Sequence, residues 1–280
     1  SVGAVGSSWK GLKEYSTSIL IPRSRKRDIA VSKRLFPIKH HGHMTSEKIS
    51  MRIGATIEGM ASSSATTATF CATLVDEWVR LGVAHAMVAP GSRSTPMAVA
   101  LASHPKVSLH VFHDERSASF AALGIGLQSG IPAVLLCTSG TAAANFFGAV
   151  IESHHANVPL LVCTADRPPE LQGVGAPQTI NQTHLYGSFV RKFIDVGIAD
   201  SAKQSKWRSV AREAFASTVG VHRGPCHVNL PFREPLVGDV GDLPPIDNHS
   251  PVRMSADTAT ASERKKLSLA LRAEQGVIIA

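Results

Sequence analysis

Four short polar stretches each follow an apolar run and precede a helical pattern, and they hold the residues that could do chemistry. The stretches are residues 89–95, 114–116, 138–141 and 164–170. At the carboxyl ends of parallel strands, such stretches form the crevice where ligands bind. We therefore expect a carboxyl group, a hydroxyl group and two guanidinium groups to meet there: Glu115, Ser92, Arg93 and Arg167. This combination is typical of an enzyme that moves protons and binds an anionic substrate.

Each of these residues also has an ordinary interpretation. Glu115 stands at the first turn of a predicted helix, where the helix dipole stabilises any carboxylate by roughly 0.3–1 kcal/mol. Ser92 can cap a helix beside a solvated Arg93. Arg167 precedes two prolines that stiffen the chain, which is also typical of a rigid turn with an exposed arginine.

Nucleotide and metal sites are not indicated by the remaining motifs. The stretch 138–141 is small and open enough for a flat ring or a phosphate to approach, but it has no lysine and no Walker spacing. Glycines at 124, 126 and 130 have the wrong spacing for a dinucleotide fingerprint and fall inside a predicted helix. Histidines at 40, 41 and 43 lie in the basic tail, and we assign no metal ligand.

Apolar runs that alternate with helical periodicity position these stretches. The predicted strands are 84–89, 107–112, 133–137, 160–164, 190–196 and 225–230, and the predicted helices are 65–81, 95–103, 115–128, 141–155 and 207–218. This alternation predicts an α/β fold with a parallel sheet covered by helices on both faces. The segment 171–181 is too long for a plain connector, which favours a functional loop.

Charge and composition divide the chain into three predicted parts. Residues 1–59 carry eleven Lys and Arg against four Asp and Glu, whereas the rest is nearly neutral. We predict a disordered basic tail or non-native extension at 1–62, one α/β domain at 63–236, and a linker with the beginning of a truncated second domain at 237–280. Within this last part we predict a charged helix at 262–274 and a strand at 276–280. The chain begins without Met, which fits a fragment or a reading frame extended upstream of Met60.

Several classes of protein are disfavoured by the same features. The basic excess lies in the tail, so nucleic-acid binding is not expected. No apolar run approaches the roughly 20 residues that cross a membrane, and we expect a cytoplasmic protein. Four cysteines without Cys-x-x-Cys spacing indicate small buried side chains in a reducing compartment.

Taken together, the four stretches resemble one family. The runs Ala-Pro-Gly-Ser-Arg-Ser-Thr, Asp-Glu-Arg, Thr-Ser-Gly-Thr-Ala and Thr-Ala-Asp-Arg-Pro-Pro-Glu-Leu are similar to those of the thiamine-diphosphate-dependent 2-succinyl-5-enolpyruvyl-6-hydroxy-3-cyclohexene-1-carboxylate synthases (MenD) of menaquinone biosynthesis. The resemblance covers about Cys71 to Leu236, the N-terminal pyrimidine-binding domain of that family.

The resemblance implies roles for single residues. Glu115 matches the glutamate that activates the cofactor. Ser92, Arg93 and Gln178 match substrate contacts, and Arg167 matches an arginine near the same site. The cofactor pocket is expected to include three residues of one turn: Thr138, Gly140 and Thr141.

The resemblance also implies substrates, cofactors, an oligomer and a diphosphate-binding half of the site whose motif this sequence lacks. The substrates are 2-oxoglutarate and isochorismate, the cofactors are thiamine diphosphate and Mg²⁺, and active sites are shared in a homodimer or homotetramer. The Gly-Asp-Gly motif of the diphosphate half is absent from this sequence, so we expect little activity from the chain alone. Two alternatives stay open: the pyrimidine domain of another thiamine-diphosphate lyase or decarboxylase, and a non-catalytic α/β binding module.

Overall fold

A computed structural model of the chain describes residues 46–246 and 260–270. The strands are β1 (His85–Val88), β2 (Ser108–Val111), β3 (Val134–Cys137), β4 (Leu160–Asp166), β5 (Lys192–Asp195) and β6 (Pro225–Pro231). They form one sheet in the order β2-β1-β3-β4-β6-β5, and all neighbouring strands are parallel. Each strand lies within or overlaps a predicted apolar run. The central strands β3, β4 and β6 are buried at every residue, which is why their sequences are largely apolar.

Helices cover both faces of the sheet. Those of the described residues are α1 (Ser46–Arg80), α2 (Thr95–Ser103), α3 (Glu115–Ser129), α4 (Thr141–Ala144), α5 (Phe147–His155), α6 (Trp207–Val219) and α7 (Ala261–Ala270). On β3, Val134 and Leu136 join a core cluster with α1, α2 and α6, whereas Leu135 and Cys137 join a second cluster with α3, α4 and α5. The predicted fold class is therefore confirmed.

The first helix is longer than the sequence pattern predicts. α1 begins at Ser46, so the predicted start of this helix at residue 65 is wrong, and residues 46–62 of the predicted tail are helical. Extending an existing helix costs much less free energy than nucleating one. The apolar stripe that starts at Phe70 therefore marks the part of α1 that joins the hydrophobic core, and not the beginning of the helix. The predicted tail from 1 to 45 lies outside the described residues.

The single helix predicted at 141–155 is interrupted. The Asn145 and Phe146 amides bond three residues back, to the carbonyls of Ala142 and Ala143. The Tyr186 hydroxyl also donates to the Ala143 carbonyl, at 2.7 Å. The Ala143 carbonyl therefore accepts from both Phe146 and the buried Tyr186, at the tightened turn that separates α4 from α5.

The end of the chain is described only in part. Residues 237–246 form neither helix nor strand, as expected of a linker, and residues 247–259 and 271–280 lie outside the described part. The predicted helix at 262–274 is present as α7 up to Ala270. The strand predicted at 276–280 falls outside, and the domain boundaries stay predictions.

The four cysteines are buried and form no disulfide. Burial raises the pKa of each thiol, so they behave as the small core side chains that the sequence predicts. Among the described helices, none combines the length and the apolar character of a membrane span.

Candidate functional site

The candidate site lies where the strand order changes direction. β1 stands between β2 and β3, so the chain runs outward from β1 on one side and continues to β3 on the other. Ligands of open α/β sheets bind beyond the carboxyl ends of such strands. The turns after β1 and β3 touch there, because a β-carbon on Gly91 would lie only 2.4 Å from the Cβ of Thr138. Glycine is required at position 91 for this contact.

Glu115 opens α3 directly beyond β2, but another residue caps the helix. The Asp114 carboxylate accepts 2.7 Å hydrogen bonds from the Ser117 backbone N–H and hydroxyl, which lower the pKa of Asp114. Glu115 is half-buried. Burial and then the charge of Glu115 raise the pKa of Cys137, the last residue of β3. Glu115 is thus not the residue that caps α3, and its carboxyl group is near enough to Cys137 to contribute to the raised pKa of that thiol.

The turn after β3 contains a buried hydroxyl group without a partner. Thr138 is 7% exposed, and its Oγ1 forms no hydrogen bond. Leaving such a group unsatisfied costs about 1–3 kcal/mol, so it is a natural place for a ligand contact. Gly140 has φ +87°, a conformation that favours glycine. Thr141 begins α4 and is exposed.

Ser92 and Arg93 lie in a short 3₁₀ turn, Ser92–Ser94, and differ in exposure. Ser92 is exposed, whereas Arg93 is 4% exposed. The Arg93 Nη1 donates to the Phe232 carbonyl at 3.0 Å, and its Nη2 donates to Glu234 Oε1 at 2.9 Å. The interpretation of Arg93 as a solvated arginine is therefore wrong, because a carbonyl and a carboxylate beyond β6 hold its planar fork. Its Nε is buried without a partner.

Arg167 and Gln178 meet at the predicted functional loop, 171–181. The Arg167 Nη2 donates to the Pro177 carbonyl at 3.1 Å, while its buried Nε has no partner. Gln178 and Ser139 exchange two hydrogen bonds, from Gln178 Nε2 to the Ser139 carbonyl at 3.1 Å and from Ser139 Oγ to the Gln178 carbonyl at 3.0 Å. The loop is thereby fastened to the turn after β3, so Gln178 lies beside Gly140.

The structure thus brings together most of the predicted residues, but in two groups. Thr138 and Gly140 belong to the turn after β3, and Gln178 lies against it. Glu115 contributes to the raised pKa of Cys137, the residue before this turn. Arg93 is directed instead to the end of β6. In the described ranges 46–246 and 260–270, no three His, Cys, Asp or Glu side chains gather as a metal centre requires.

Sequence reasoning missed a buried polar cluster beneath the site. Its members are each at most 2% exposed: Thr164, Asp166, Gln182, His227 and Asn229. Gln182 connects the cluster to the site, because its Oε1 accepts a 2.9 Å hydrogen bond from the Gly140 amide. One signal was available, since polar residues two positions apart on an apolar strand share a face of the sheet.

Comparisons with known proteins agree with the resemblance. Residues 68–185 match the family "Thiamine pyrophosphate enzyme, N-terminal TPP binding domain". The chain is 53% identical over 173 residues to the 2-succinyl-5-enolpyruvyl-6-hydroxy-3-cyclohexene-1-carboxylate synthase of Thermobifida fusca, and 49% identical over 177 residues to that of Bacillus velezensis. The enzyme of the same name from Lysinibacillus sphaericus is 48% identical over 198 residues.

These matches cover 61%, 62% and 70% of this chain, but only 31%, 31% and 34% of the relatives. The chain therefore spans about a third of the length of the curated relatives that it matches. The family match includes the turns after β1, β2 and β3 and the loop that carries Gln178. Residues 68–185 are therefore similar to the N-terminal domain of thiamine pyrophosphate enzymes, and the chain is similar over this region to one third of the 2-succinyl-5-enolpyruvyl-6-hydroxy-3-cyclohexene-1-carboxylate synthases.

Proposed function

We propose that this chain supplies the pyrimidine-binding half of a synthase that joins decarboxylated 2-oxoglutarate to isochorismate with the help of thiamine diphosphate. The observation that carries the proposal is the position of Glu115. It is a half-buried carboxyl group at the start of α3, it is not the residue that caps this helix, and it is near enough to Cys137 to contribute to the raised pKa of that thiol. Menaquinone biosynthesis is the pathway proposed from the resemblance.

The residues present fit the pyrimidine end of the cofactor. The unpartnered, buried Thr138 hydroxyl offers a hydrogen bond at the place where the strand order changes direction. The Gly91 backbone lies where any side chain would collide with Thr138, so the crevice stays narrow enough for a flat ring. Gly140 and the exposed Thr141 complete this wall. We therefore propose that the aminopyrimidine ring of the cofactor binds against Glu115 and the turn 138–141.

In this mechanism Glu115 acts through a proton. When bound, thiamine diphosphate supplies the carbon nucleophile of the reaction. The Glu115 carboxyl group holds a proton at the ring nitrogen of the aminopyrimidine, which controls the tautomer of that ring. Glu115 is the first residue of α3. A proton shared at a positioned carboxyl group typically accelerates a reaction by about 10²–10⁴-fold.

Substrate recognition is assigned to the loop side of the crevice. Both proposed substrates carry two carboxylates, which arginine binds well. Ser92 is exposed for such a contact, and Arg167 and Gln178 border the loop 171–181. Arg93 already donates two hydrogen bonds within the protein, so only its remaining N–H groups, among them the unpartnered Nε, are left for a substrate.

The remainder of the site is proposed to lie outside this sequence. The relatives extend over about three times the matched length, and we assign Mg²⁺ and the diphosphate group to that additional region. We further propose that the site is completed by a neighbouring subunit of a homo-oligomer, and that the chain alone has little activity. A cytoplasmic location also stays a prediction.

A chimeric enzyme tests the role of Glu115. The aligned segment of this chain replaces its counterpart in the Thermobifida fusca relative, and turnover of 2-oxoglutarate with isochorismate is measured. We expect Glu115→Gln to lower kcat by at least about 100-fold, because an amide cannot hold the proton in the same way. The matched control is Glu152→Gln, which changes an exposed acid on α5.

Two outcomes would contradict this assignment. An unchanged kcat in Glu115→Gln would remove Glu115 from the chemistry. Equal losses in Glu115→Gln and Glu152→Gln would show that a general loss of charge is responsible. Circular dichroism of both variants checks that the fold is retained. Turnover of pyruvate without isochorismate would point to a different thiamine-diphosphate enzyme.

A further inference from the structure

The carboxyl ends of β4 and β6 contain polar side chains that are almost completely buried. Thr164 and Asp166 lie on β4, opposite Asn229 and Pro231 of β6. Buried polar groups destabilise a protein unless each finds a hydrogen-bond partner. Here the partners form one continuous chain of hydrogen bonds that ends at the candidate site.

Asp166 is the acceptor end of this chain. Its Oδ1 accepts from the Arg167 amide at 2.7 Å, and its Oδ2 accepts from Asn229 Nδ2 at 2.9 Å and from Gln172 Nε2 at 3.4 Å. Burial raises the pKa of Asp166, and the bonds from Asn229 and the Arg167 amide oppose that effect. All three neighbours are donors, which suits a carboxylate and not a neutral group.

The orientation of Asn229 follows from this contact. Because Nδ2 faces Asp166, the opposite end of the amide presents Oδ1 to two donors. These are Gln182 Nε2 at 2.9 Å and the Thr164 hydroxyl at 3.0 Å. An inverted Asn229 would turn its oxygen toward the Asp166 carboxylate and its N–H groups toward both donors.

The orientation of Asn229 also determines the orientation of the Gln182 amide, which contacts the candidate site. Its Nε2 donates to Asn229 and also to the Ala165 carbonyl, at 3.1 Å. Its Oε1 therefore faces the Gly140 amide and accepts from it at 2.9 Å. The Gly140 amide belongs to the turn 138–141. A carboxylate on β4 thus orients a backbone group in the turn that follows the neighbouring strand, β3.

We propose that Asp166 and Gln182 are positioning residues: the negative charge of Asp166 sets the direction of the amides of Asn229 and Gln182, and Gln182 thereby holds the Gly140 amide. The importance of the turn 138–141 for a cofactor rests on the proposed function above. The hydrogen-bond chain itself requires no bound group.

Substitutions that move the negative charge from position 166 to position 229 distinguish an effect on the orientation of the side-chain amides from an effect on packing. In Asp166→Asn a single oxygen must serve both the Arg167 amide and Asn229 Nδ2, so one donor loses its partner. If Asn229 inverts in response, Gln182 must invert too and bring an N–H against the Gly140 amide. In the double variant Asp166→Asn with Asn229→Asp, a carboxylate at 229 accepts from Thr164, Gln182 and the new amide, and the original direction of Gln182 returns.

Amide hydrogen exchange of the whole chain provides the test. In Asp166→Asn we expect exchange at Gly140 to become at least about tenfold faster, and in the double variant to return to within about threefold of the unaltered protein. Exchange in β3, Val134–Cys137, reports general loosening. Asp239→Asn is the matched control, because Asp239 is an exposed acid outside the cluster.

The proposal is overturned if Gly140 exchanges equally in Asp166→Asn and in the unaltered protein, or if the double variant is as fast as the single one. It is also overturned if β3 loosens to the same extent as Gly140, since the effect is then global. Should Asp166→Asn fail to fold, the double variant decides alone by its protection of Gly140. No cofactor or substrate is used, so this result is independent of the outcome for Glu115→Gln.

Discussion

Arg93 joins the turn after β1 to the segment beyond β6 through its guanidinium group. Its two partners differ in environment, because the Phe232 carbonyl belongs to a buried residue whereas the side chain of Glu234 is 70% exposed. A surface ion pair contributes little, whereas a buried hydrogen bond from a charged donor contributes about 1.5–3 kcal/mol. The carbonyl contact should therefore dominate the contribution of Arg93 to stability.

We expect Arg93→Ala to lower the free energy of unfolding by about 2–3 kcal/mol, because it leaves the Phe232 carbonyl without its donor and opens a cavity. Glu234→Gln should cost less than about 1 kcal/mol. Urea denaturation of both variants measures the difference. Similar losses in the two variants would show that the ion pair, and not the carbonyl contact, anchors Arg93.

At the scale of elements, two glycines on α3 face different surroundings. A β-carbon on Gly126 would lie 2.3 Å from the Pro159 carbonyl oxygen, whereas one on Gly124 meets nothing within 4 Å. Gly126 is buried and Gly124 is exposed. The glycine at 126 thus permits α3 to approach the segment before β4, and the glycine at 124 only weakens the helix.

We expect opposite effects from the same substitution at these two positions. Gly126→Ala should destabilise the protein by about 1–3 kcal/mol, because backbone atoms must shift. Gly124→Ala should stabilise it by about 0.5–1 kcal/mol through helix propensity. Thermal unfolding followed by circular dichroism compares the two. A stabilising Gly126→Ala would mean that α3 does not pack closely against Pro159.

The elements were largely predictable because their signals are local. Strands buried on both faces appear as apolar runs, and the polar residues that follow them predicted a crevice with Glu115, Ser92, Arg93 and Arg167. Thr138 and Gln178 were added to it only by the family resemblance. The partners of Arg93 could not be found in this way, since Glu234 lies 141 positions further along the chain. The contact that Tyr186 makes at the break between α4 and α5 was equally hidden, because the two lie far apart in the sequence.

At the scale of the whole molecule, the buried polar cluster makes stability depend on pH. The hydroxyl proton of Thr164 is donated to Asn229, so His227 Nε2 donates to Thr164 Oγ1 across 2.8 Å. His227 Nδ1 is buried without a partner. Burial, with a smaller effect of His184, lowers the pKa of His227 from 6.5 to about 3. The folded protein therefore keeps this ring neutral where the unfolded chain protonates it.

The sign of the resulting prediction follows from proton uptake. Between pH 6.5 and about 3 the unfolded state binds one more proton at His227 than the folded state, so acidification favours unfolding in that window. The stability that depends on a neutral His227 is complete above pH 6.5 and is lost as the pH falls. At pH 5 the loss amounts to about 2 kcal/mol.

We expect His227→Gln to remove this part of the acid sensitivity. The free energy of unfolding, measured in urea at pH 7 and pH 5, should fall by about 2 kcal/mol less in the variant than in the unaltered protein. The comparison uses the change between the two pH values, so a constant cost of losing the Thr164 contact cancels. His222→Gln, which alters an exposed histidine, should keep the original difference. If His227→Gln keeps it as well, the acid sensitivity arises from groups outside this cluster, and His227 is not held neutral by the fold.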